Sequence, residues 1–459
     1  MIRNFWRGII CLHKLEKTSR WSNLWLKEDY WAVWIGIGVI LIALLGYRVG
    51  FSLQPLAAKF DSYDSFSVVP GMLAAGAVKL LLLFVCLAVL FSIAVKVMGY
   101  SIGQFLRGLF VLFMLAILVQ ILGAWKAAQT LNLEAPVLAL ILGMLNGNFI
   151  RIPRWFDEAL RTEFYVKIGI VMMGATLPFT IILQSGPVAL LQATIIAVST
   201  FLSIYFCASK LFGLDKRFAA TLGAGGSICG VSASIAIGSS VNAEKNHVSI
   251  AISMVVVWAT IMVFLLPVVC RAFGLTDGEA GAWIGTSEFA DAAGIAAAAQ
   301  FGDPGITAFT LMKVVGRDMF VGIWAFILAI VSVARWEVKD SGVKPSAGVI
   351  WERFPKFVLG FFVASILMTV VLANVASPDV SQVITDTVIG PIKTLRTWSF
   401  VFTFLCIGLT TRFKDLAAVG VKPILAFSIG VAINVVLGYI FSALVLGDYW
   451  TSVANMIGG

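Results

Sequence analysis

Four ionisable side chains stand in runs of apolar residues, where a charge is costly. Glu288 and Asp291 are three positions apart and Lys313 and Arg317 are four apart, so each pair shares one face of a helix. A charge within a bilayer is strongly unfavourable unless it is paired or hydrated. We predict that Lys313 and Arg317 bind an anion. Glu288 or Asp291 is then the coupling carboxylate, which takes up a proton or a cation when the substrate leaves.

The same four residues allow other interpretations. They could form a buried salt-bridge cluster that only fixes two helices to each other. They could also belong to a cation/proton antiporter, in which Glu288 and Asp291 bind the cation and Lys313 or Arg317 is the counter-charge. Structural and transport roles are compatible, because bases that are paired with carboxylates in one state can be released to substrate in another.

A third segment, residues 223–234, contains more glycine and serine than an ordinary lipid-facing helix. Glycine weakens a helix and lets a ligand or another backbone approach closely. The cluster predicts a discontinuous helix whose N–H groups and hydroxyls bind an anion near the middle of the membrane. A helix-packing face of small residues is the alternative. The predicted substrate ligands outside the charged pairs are Gly225, Gly226, Ser227, Cys229, Gly230, Ser232, Thr286 and Ser287.

These segments belong to a chain whose composition requires a bilayer. Of its 459 residues, 60% are hydrophobic and 12% are charged, and the mean hydropathy is +0.98. Apolar runs of about 20 residues recur along the chain, and each can satisfy its backbone hydrogen bonds only as a spanning helix. The prediction is an all-α polytopic membrane protein with about thirteen transmembrane helices, at 31–50, 72–99, 105–125, 134–149, 164–184, 187–210, 218–240, 248–272, 281–300, 307–334, 357–376, 396–411 and 423–447.

The domain organisation is predicted as a basic amphipathic segment at 1–30, two additional spans within 31–103 and a transporter core at 104–459. The N-terminal segment lacks the features of a cleavable signal peptide. The six cysteines form no CxxC pair and are expected to be reduced and structural. We find no HExxH zinc motif, no convincing Ser/His arrangement and no P-loop, so the prediction is a non-enzyme without a cofactor or metal site.

Charge and internal similarity predict the orientation. Lys and Arg concentrate in the segments that lie on the same side as the N-terminus, which predicts a cytoplasmic N-terminus and a periplasmic C-terminus in a bacterial inner membrane. Residues 174–213 align without a gap on 408–447, with matches such as Gly174/Gly408, Thr176/Thr410 and Tyr205/Tyr439. Because the two copies begin on opposite sides in this topology, the repeat is predicted to be inverted. Chance similarity between apolar helices is the alternative.

Several motifs together resemble one known family. Gly223–Gly230, Gly285-Thr286-Ser287 and Gly408-Leu409-Thr410-Thr411 are similar to motifs of the YeiH family of bacterial inner-membrane proteins, which carries the family label sulfate exporter. The resemblance covers about residues 104–447 and identifies the chain with a longer subfamily. It implies an inverted-repeat secondary transporter fold, related to the sodium/proton antiporter and bile-acid transporter group, with discontinuous helices that cross at the centre.

The chain departs from that family at two places, one of which is the spacing of Lys313 and Arg317, longer by one residue than the family pattern. Many members have a His-Glu pair after the Gly-Ser/Thr element, where this chain has Glu288-Phe289-Ala290-Asp291. The expected function is secondary transport, most simply export, of a small inorganic or organic anion such as sulfate or a sulfonate; cation/proton antiport is the alternative. The expected partners are the anion, the lipid bilayer and a coupling proton or sodium ion. Nucleic acid is not expected as a partner, and a homodimer is one assembly the chain could form.

Overall fold

The structure is a computed structural model that describes residues 23–130, 135–318, 321–332, 355–375, 378–411 and 420–458. These residues form helices and connecting turns, and no strand is found among them. Residues 1–22 of the predicted amphipathic segment at 1–30 lie outside the described residues, and its last three residues begin the first long helix. The first six long helices are α1 (Glu28–Val49), α2 (Val69–Val97), α3 (Ile102–Ala124), α4 (Ala135–Phe149), α5 (Thr162–Gly174) and α6 (Phe179–Phe206).

The rest of the described chain contains both short and long helices, from 7 to 28 residues. They are α7 (Lys216–Ser227), α8 (Val231–Ser240), α9 (Lys245–Ala272), α10 (Asp277–Ser287), α11 (Asp291–Ala298), α12 (Gly302–Thr310), α13 (Val321–Val331), α14 (Lys356–Ala373), α15 (Pro378–Ile384), α16 (Gly390–Thr410), α17 (Val421–Tyr439) and α18 (Gly447–Gly458). In the described part of the chain, eight helices are long and apolar enough to cross a membrane. The all-helical membrane class is confirmed, and the predicted thirteen spans are not reproduced.

Contacts at the helix ends define two sides of the bundle. On the near side, where α1 begins, Arg161 donates to Glu28 at 2.6 Å and Lys167 donates to Asp29 at 2.8 Å. On the far side, where α1 ends, Ser52 donates to the carbonyl of Thr387 at 3.3 Å. The long helices run between these two sides.

Predicted span seven does not cross the bundle. At its ends, Arg217 of α7 donates to the carbonyl of Asn242 at 3.3 Å, and the ring of Phe218 stacks on that of His247 at 4.4 Å. The two ends therefore lie together on the near side, and α7 and α8 form a re-entrant hairpin. The prediction of a single pass at 218–240 is wrong, because helices of 12 and 10 residues each reach only about half of a ~30 Å hydrocarbon core.

Predicted span nine is a second re-entrant hairpin, from the opposite side. Thr276, before α10, contacts Thr451 of α18 at 2.8 Å, and α18 follows the far end of α17. After α11, the carbonyl of Gln300 accepts from Arg271 at the end of α9, at 3.2 Å. Both ends of the α10–α11 pair thus lie on the far side, so the prediction of a single pass at 281–300 is also wrong.

The segment after the second hairpin crosses the bundle but is broken in the middle. It begins with α12 on the far side, passes through a π-helical turn at Leu311–Val315 and continues as α13. At its near end, Ser332 donates to the carbonyl of Val241 at 3.4 Å. The irregular centre of this pass carries Lys313, Arg317 and Asp318 between the two hairpins.

The two segments of the predicted repeat pack against each other in opposite directions. Gln192 of α6 donates to Ser442 at 2.7 Å, and Asn434 of α17 donates to Thr200 at 2.9 Å. Residue number rises along α6 as it falls along α17, so the two helices are antiparallel. The gapless alignment pairs Thr200 with Asn434, which are the two residues that meet at this crossing.

Candidate functional site

The tips of the two hairpins meet in the interior of the protein. The first tip is Ile228-Cys229-Gly230, and the second is Glu288-Phe289-Ala290. Gly230 has a φ of +64°, which L side chains rarely adopt, and a Cβ there would overlap the carbonyl oxygen of Phe289. Glycine is therefore required at this position by both the backbone conformation and the close approach of the second tip.

Lys313 joins the two tips. Its ammonium donates to the carbonyl oxygens of Ile228 and Glu288 at 3.1 Å each and to that of Phe289 at 3.4 Å. The same Nζ lies 3.6 Å from Oδ1 of Asp291. The side chain is completely buried, so its charge is balanced by these oxygens rather than by bulk water.

Arg317 donates hydrogen bonds to the helix ends next to the tips. Its Nε donates to the carbonyl of Ser227 at 3.1 Å, and its Nη1 donates to those of Gly285 at 3.0 Å and Thr286 at 2.8 Å. These carbonyls end α7 and α10, where helices carry partial negative charge and lack internal donors. Lys313 and Arg317 together neutralise two helix C-termini that face each other inside the protein.

The three carboxylates of the site differ in their partners. Oε1 of Glu288 accepts from the N–H groups of Phe289 at 2.9 Å and Ala290 at 3.3 Å, and so caps its own tip. Asp291 begins α11 and forms the ion pair with Lys313. Asp318 is 1% exposed, and within the described residues neither of its carboxylate oxygens has a hydrogen-bond partner. A buried carboxylate without a donor is costly, so Asp318 is a candidate group for taking up a proton or a cation.

A cavity of about 110 Å³ lies between this cluster and the near-side pair of Asp29 and Lys167. Asp291, Asp318, Cys229 and Ser232 line its inner part, and Asp29 and Lys167 line it at the near side, with Val321, Pro355 and Phe357 completing the wall. Two of the inner groups are carboxylates that are not fully paired, so the free groups of the cavity favour a proton or small cation over an anion. Among the described residues, no group of three or more His, Cys, Asp or Glu side chains could hold a metal ion.

The sequence of the chain matches a known protein family. A family model described as conserved hypothetical protein 698 matches residues 107–427. The chain belongs to this family. A UPF0324 membrane protein of Nitratidesulfovibrio vulgaris is 31% identical over 366 residues, or 79% of this chain and 63% of the relative, so the match spans a little under two thirds of that relative's length.

Two further members of the family have longer coverage of their own chains. The UPF0324 membrane protein NE0724 of Nitrosomonas europaea is 28% identical over 88% of this chain and 92% of its own. The UPF0324 inner membrane protein YeiH of Escherichia coli K12 is 27% identical over 66% of this chain and 83% of its own. These matches confirm the resemblance to the YeiH family and support a membrane protein. No solved structure matches the chain.

Some of the predicted ligands lie at the meeting point of the two hairpin tips, and others do not face it. Cys229 and Ser232 line the cavity, and Gly230 forms the tip contact. Gly226 packs against Ile204 and Phe427, and Gly225 against Ser234, so these two glycines permit close packing of helices. Ser227 contributes its carbonyl to Arg317.

The remaining predicted residues lie behind the tips. The hydroxyls of Thr286 and Ser287 lie against Gly438 of α17, and the hydroxyl of Thr286 donates to the carbonyl of Trp283 at 2.8 Å. Sequence reasoning assigned no role to Asp318, although it follows Arg317 directly in the same apolar run. It also missed the contribution of Asp29 and Lys167, because nothing in the sequence relates these distant positions to the hairpin tips.

Proposed function

We propose that the chain is a secondary transporter that couples the movement of a small anion to a proton or sodium ion. The observation that carries the proposal is the placement of Asp291 and Asp318. Both carboxylates lie in one cavity at the meeting point of two opposed hairpins, and Asp318 is without a donor in the described structure. Ionisable groups inside membrane proteins commonly mark ion pathways.

The coupling has a simple electrostatic basis. While Asp291 and Asp318 are ionised, the cavity repels an anion. A bound proton or sodium ion removes this repulsion, and the positive N-terminal ends of α8 and α11 can then attract an anion beside Ser232. Binding of the cation therefore favours binding of the anion, and the two move together in whichever direction their combined gradients allow. Export follows where the anion accumulates in the cytoplasm.

Lys313 and Arg317 act here as the framework of the site. In this conformation the ammonium of Lys313 and the Nε and Nη1 of Arg317 donate to carbonyls of the tips and helix ends, so an anion reaches these donors only if the two tips separate. Nη2 of Arg317 has no hydrogen-bond partner among the described residues. Sulfate and sulfonates remain the substrates suggested by the family label, with small oxyanions as a class. The carboxylates of Asp291 and Asp318 make anion binding depend on prior binding of a cation.

The arrangement of α6 and α17 supports an inverted-repeat architecture. Matched segments run antiparallel and meet at the matched positions Thr200 and Asn434. Opposed hairpins that enter from the two sides are consistent with the same relation, and a central site between such elements suits alternating access. We place the near side in the cytoplasm, because the described Lys and Arg residues are more numerous there.

Cation/proton antiport is the second candidate, and the cavity lining favours it specifically. The cavity presents the carboxylates of Asp291 and Asp318, whereas the ammonium of Lys313 is occupied by carbonyls. In this function the two carboxylates exchange a cation for a proton, and no anion moves. The same residues serve both candidates, so substrate measurements are needed to separate them.

The test is transport by purified protein in proteoliposomes. Uptake of sulfate, phosphate and ethanesulfonate is measured with and without pH and sodium gradients, while a trapped pH dye follows proton movement. We expect anion uptake that a cation gradient drives, and we expect Asp318→Asn to abolish that dependence. Asp64→Asn is the control, since this carboxylate is 74% exposed and pairs with Lys126 on the far side. Proton movement driven by sodium without any anion would select antiport; no transport of any ion would reject both candidates.

A further inference from the structure

We propose that α1 supplies the acidic half of a charge pair, Asp29 with Lys167, that sets which sign of ion reaches the cavity from the near side. Helix α1 precedes the residues matched by the family model, whereas Lys167 lies within them. The inference deepens the proposed function and rests on it for the meaning of the cavity. It assigns a specificity-determining role to a helix outside the matched core.

The position of Asp29 is closely defined. Its Oδ1 accepts from Lys167 Nζ at 2.8 Å, and its Oδ2 accepts from the backbone N–H of Lys356 at 3.3 Å. Lys167 also lies 3.3 Å from Glu163, which is more exposed. Asp29 and Lys167 both line the cavity, so an ion that moves toward Asp291 passes this pair.

The neighbouring residue Glu28 anchors the same helix by a separate contact. It accepts from Arg161 at 2.6 Å, and the guanidinium of Arg161 stacks over the ring of Tyr100 at 3.7 Å. Neither Glu28 nor Arg161 lines the cavity. The chain thus offers a matched control, because two adjacent acidic residues of α1 both bind a base of the core but only Asp29 faces the access path.

The effect of Asp29 follows from simple electrostatics. With Asp29 present, the charge of Lys167 is balanced at the mouth of the cavity. Neutralising Asp29 leaves one additional positive charge there, which attracts anions and repels cations. One unit charge at roughly 10 Å, with an effective dielectric constant of about 40, changes the local concentration of a monovalent ion about fourfold. Salt in the bathing solution screens the interaction and reduces the effect.

Alkylation of Cys229 measures this effect without requiring transport. In a variant whose other cysteines are replaced by alanine, the rate with iodoacetate is divided by the rate with uncharged iodoacetamide. The ratio cancels differences in accessibility and in thiol reactivity. We expect Asp29→Asn to raise it about fourfold and Asp29→Asn combined with Lys167→Met to restore it. Glu28→Gln should raise it by less than Asp29→Asn, because Glu28 does not line the cavity.

Each other result overturns the proposal. An unchanged ratio in Asp29→Asn, or an equal rise in Glu28→Gln, would mean that Asp29 has no specific influence on access. Ser232→Cys, in a background without Cys229, is a second reporter in the same cavity. If neither thiol is alkylated, the cavity does not open past Asp29. Failure of the proposed transport function leaves the alkylation ratio measurable, so the two failures are distinguishable.

Discussion

Replacement of Lys313 by methionine tests whether this side chain holds the two hairpin tips together. The change removes three donated hydrogen bonds and leaves the carbonyls of Ile228 and Phe289 without their charged donor, whereas the carbonyl of Glu288 still accepts from Arg317. It also leaves Asp291 without its ion-pair partner. Hydrogen bonds to a charged group contribute about 1.5–3 kcal/mol, and breaking a buried ion pair costs about 3–5 kcal/mol.

These contributions overlap, since they describe the loss of one charge. We therefore expect Lys313→Met to lower the free energy of unfolding by about 3–5 kcal/mol. Asp291→Asn in the same chain should recover part of this loss, because the uncompensated carboxylate is removed. The remaining deficit in the double variant then measures the carbonyl contacts of the tips.

The assay is unfolding of the purified protein in detergent micelles by titration with SDS, followed by tryptophan fluorescence. Lys79→Met is the matched control, because Lys79 is exposed on α2 and the same substitution there should change stability by no more than about 0.5 kcal/mol. If Lys313→Met is as stable as the Lys79 variant, Lys313 does not hold the tips. A role in binding the transported anion would then be the better explanation for its burial.

Two further perturbations test the tip and the path of the first hairpin. Gly230→Ala should destabilise the protein by more than Gly213→Ala in the same SDS titration. Both glycines have a positive φ of about 65°, but a Cβ would meet protein atoms only at Gly230. Equal losses of stability in the two variants would argue against the tip contact. Cysteines that replace Lys216 and Glu244 should both react with an impermeant thiol reagent from one side of the membrane, and a cysteine that replaces Asp64 should react from the other. If the cysteines at 216 and 244 react from opposite sides, residues 218–240 cross the membrane in a single pass and do not form a hairpin.

The positions of the lipid-facing helices could be predicted from the sequence. The predicted spans at 72–99, 105–125 and 248–272 correspond to α2, α3 and α9 with ends that agree within a few residues. This accuracy has a physical cause: a helix surrounded by lipid must be apolar over about 20 residues and must satisfy all of its backbone groups internally. The length of an apolar run therefore predicts the position of a spanning helix wherever that helix is surrounded by lipid.

The same rule fails for the hairpins because their neighbour is protein. All residues of α7 from Phe218 to Ser227 are buried, as are those of α11. A run of about 20 apolar residues has the length of one pass or of two half-passes, and apolarity cannot distinguish them. The glycine and serine of 223–234 correctly indicated a break in the helix. Whether the chain continues or reverses after Gly230 depends on Phe289 and Lys313, which are distant in sequence.

The sequence predicts that the buried bases are anion ligands, whereas the structure explains their burial by contacts with backbone carbonyls. Glu288, Asp291, Lys313 and Arg317 were expected to lie together, and they do, but the bases mainly bind carbonyl oxygens, which every residue possesses and no sequence pattern displays. Two hairpins that enter from opposite sides bring two helix C-termini to one point, and their partial negative charges repel. A basic pair on a broken helix between them removes that repulsion. The pairing of Lys313 with Arg317 is therefore a consequence of the opposed hairpins, and within the described residues Asp318 is the carboxylate of the site for which neither oxygen has a hydrogen-bond partner.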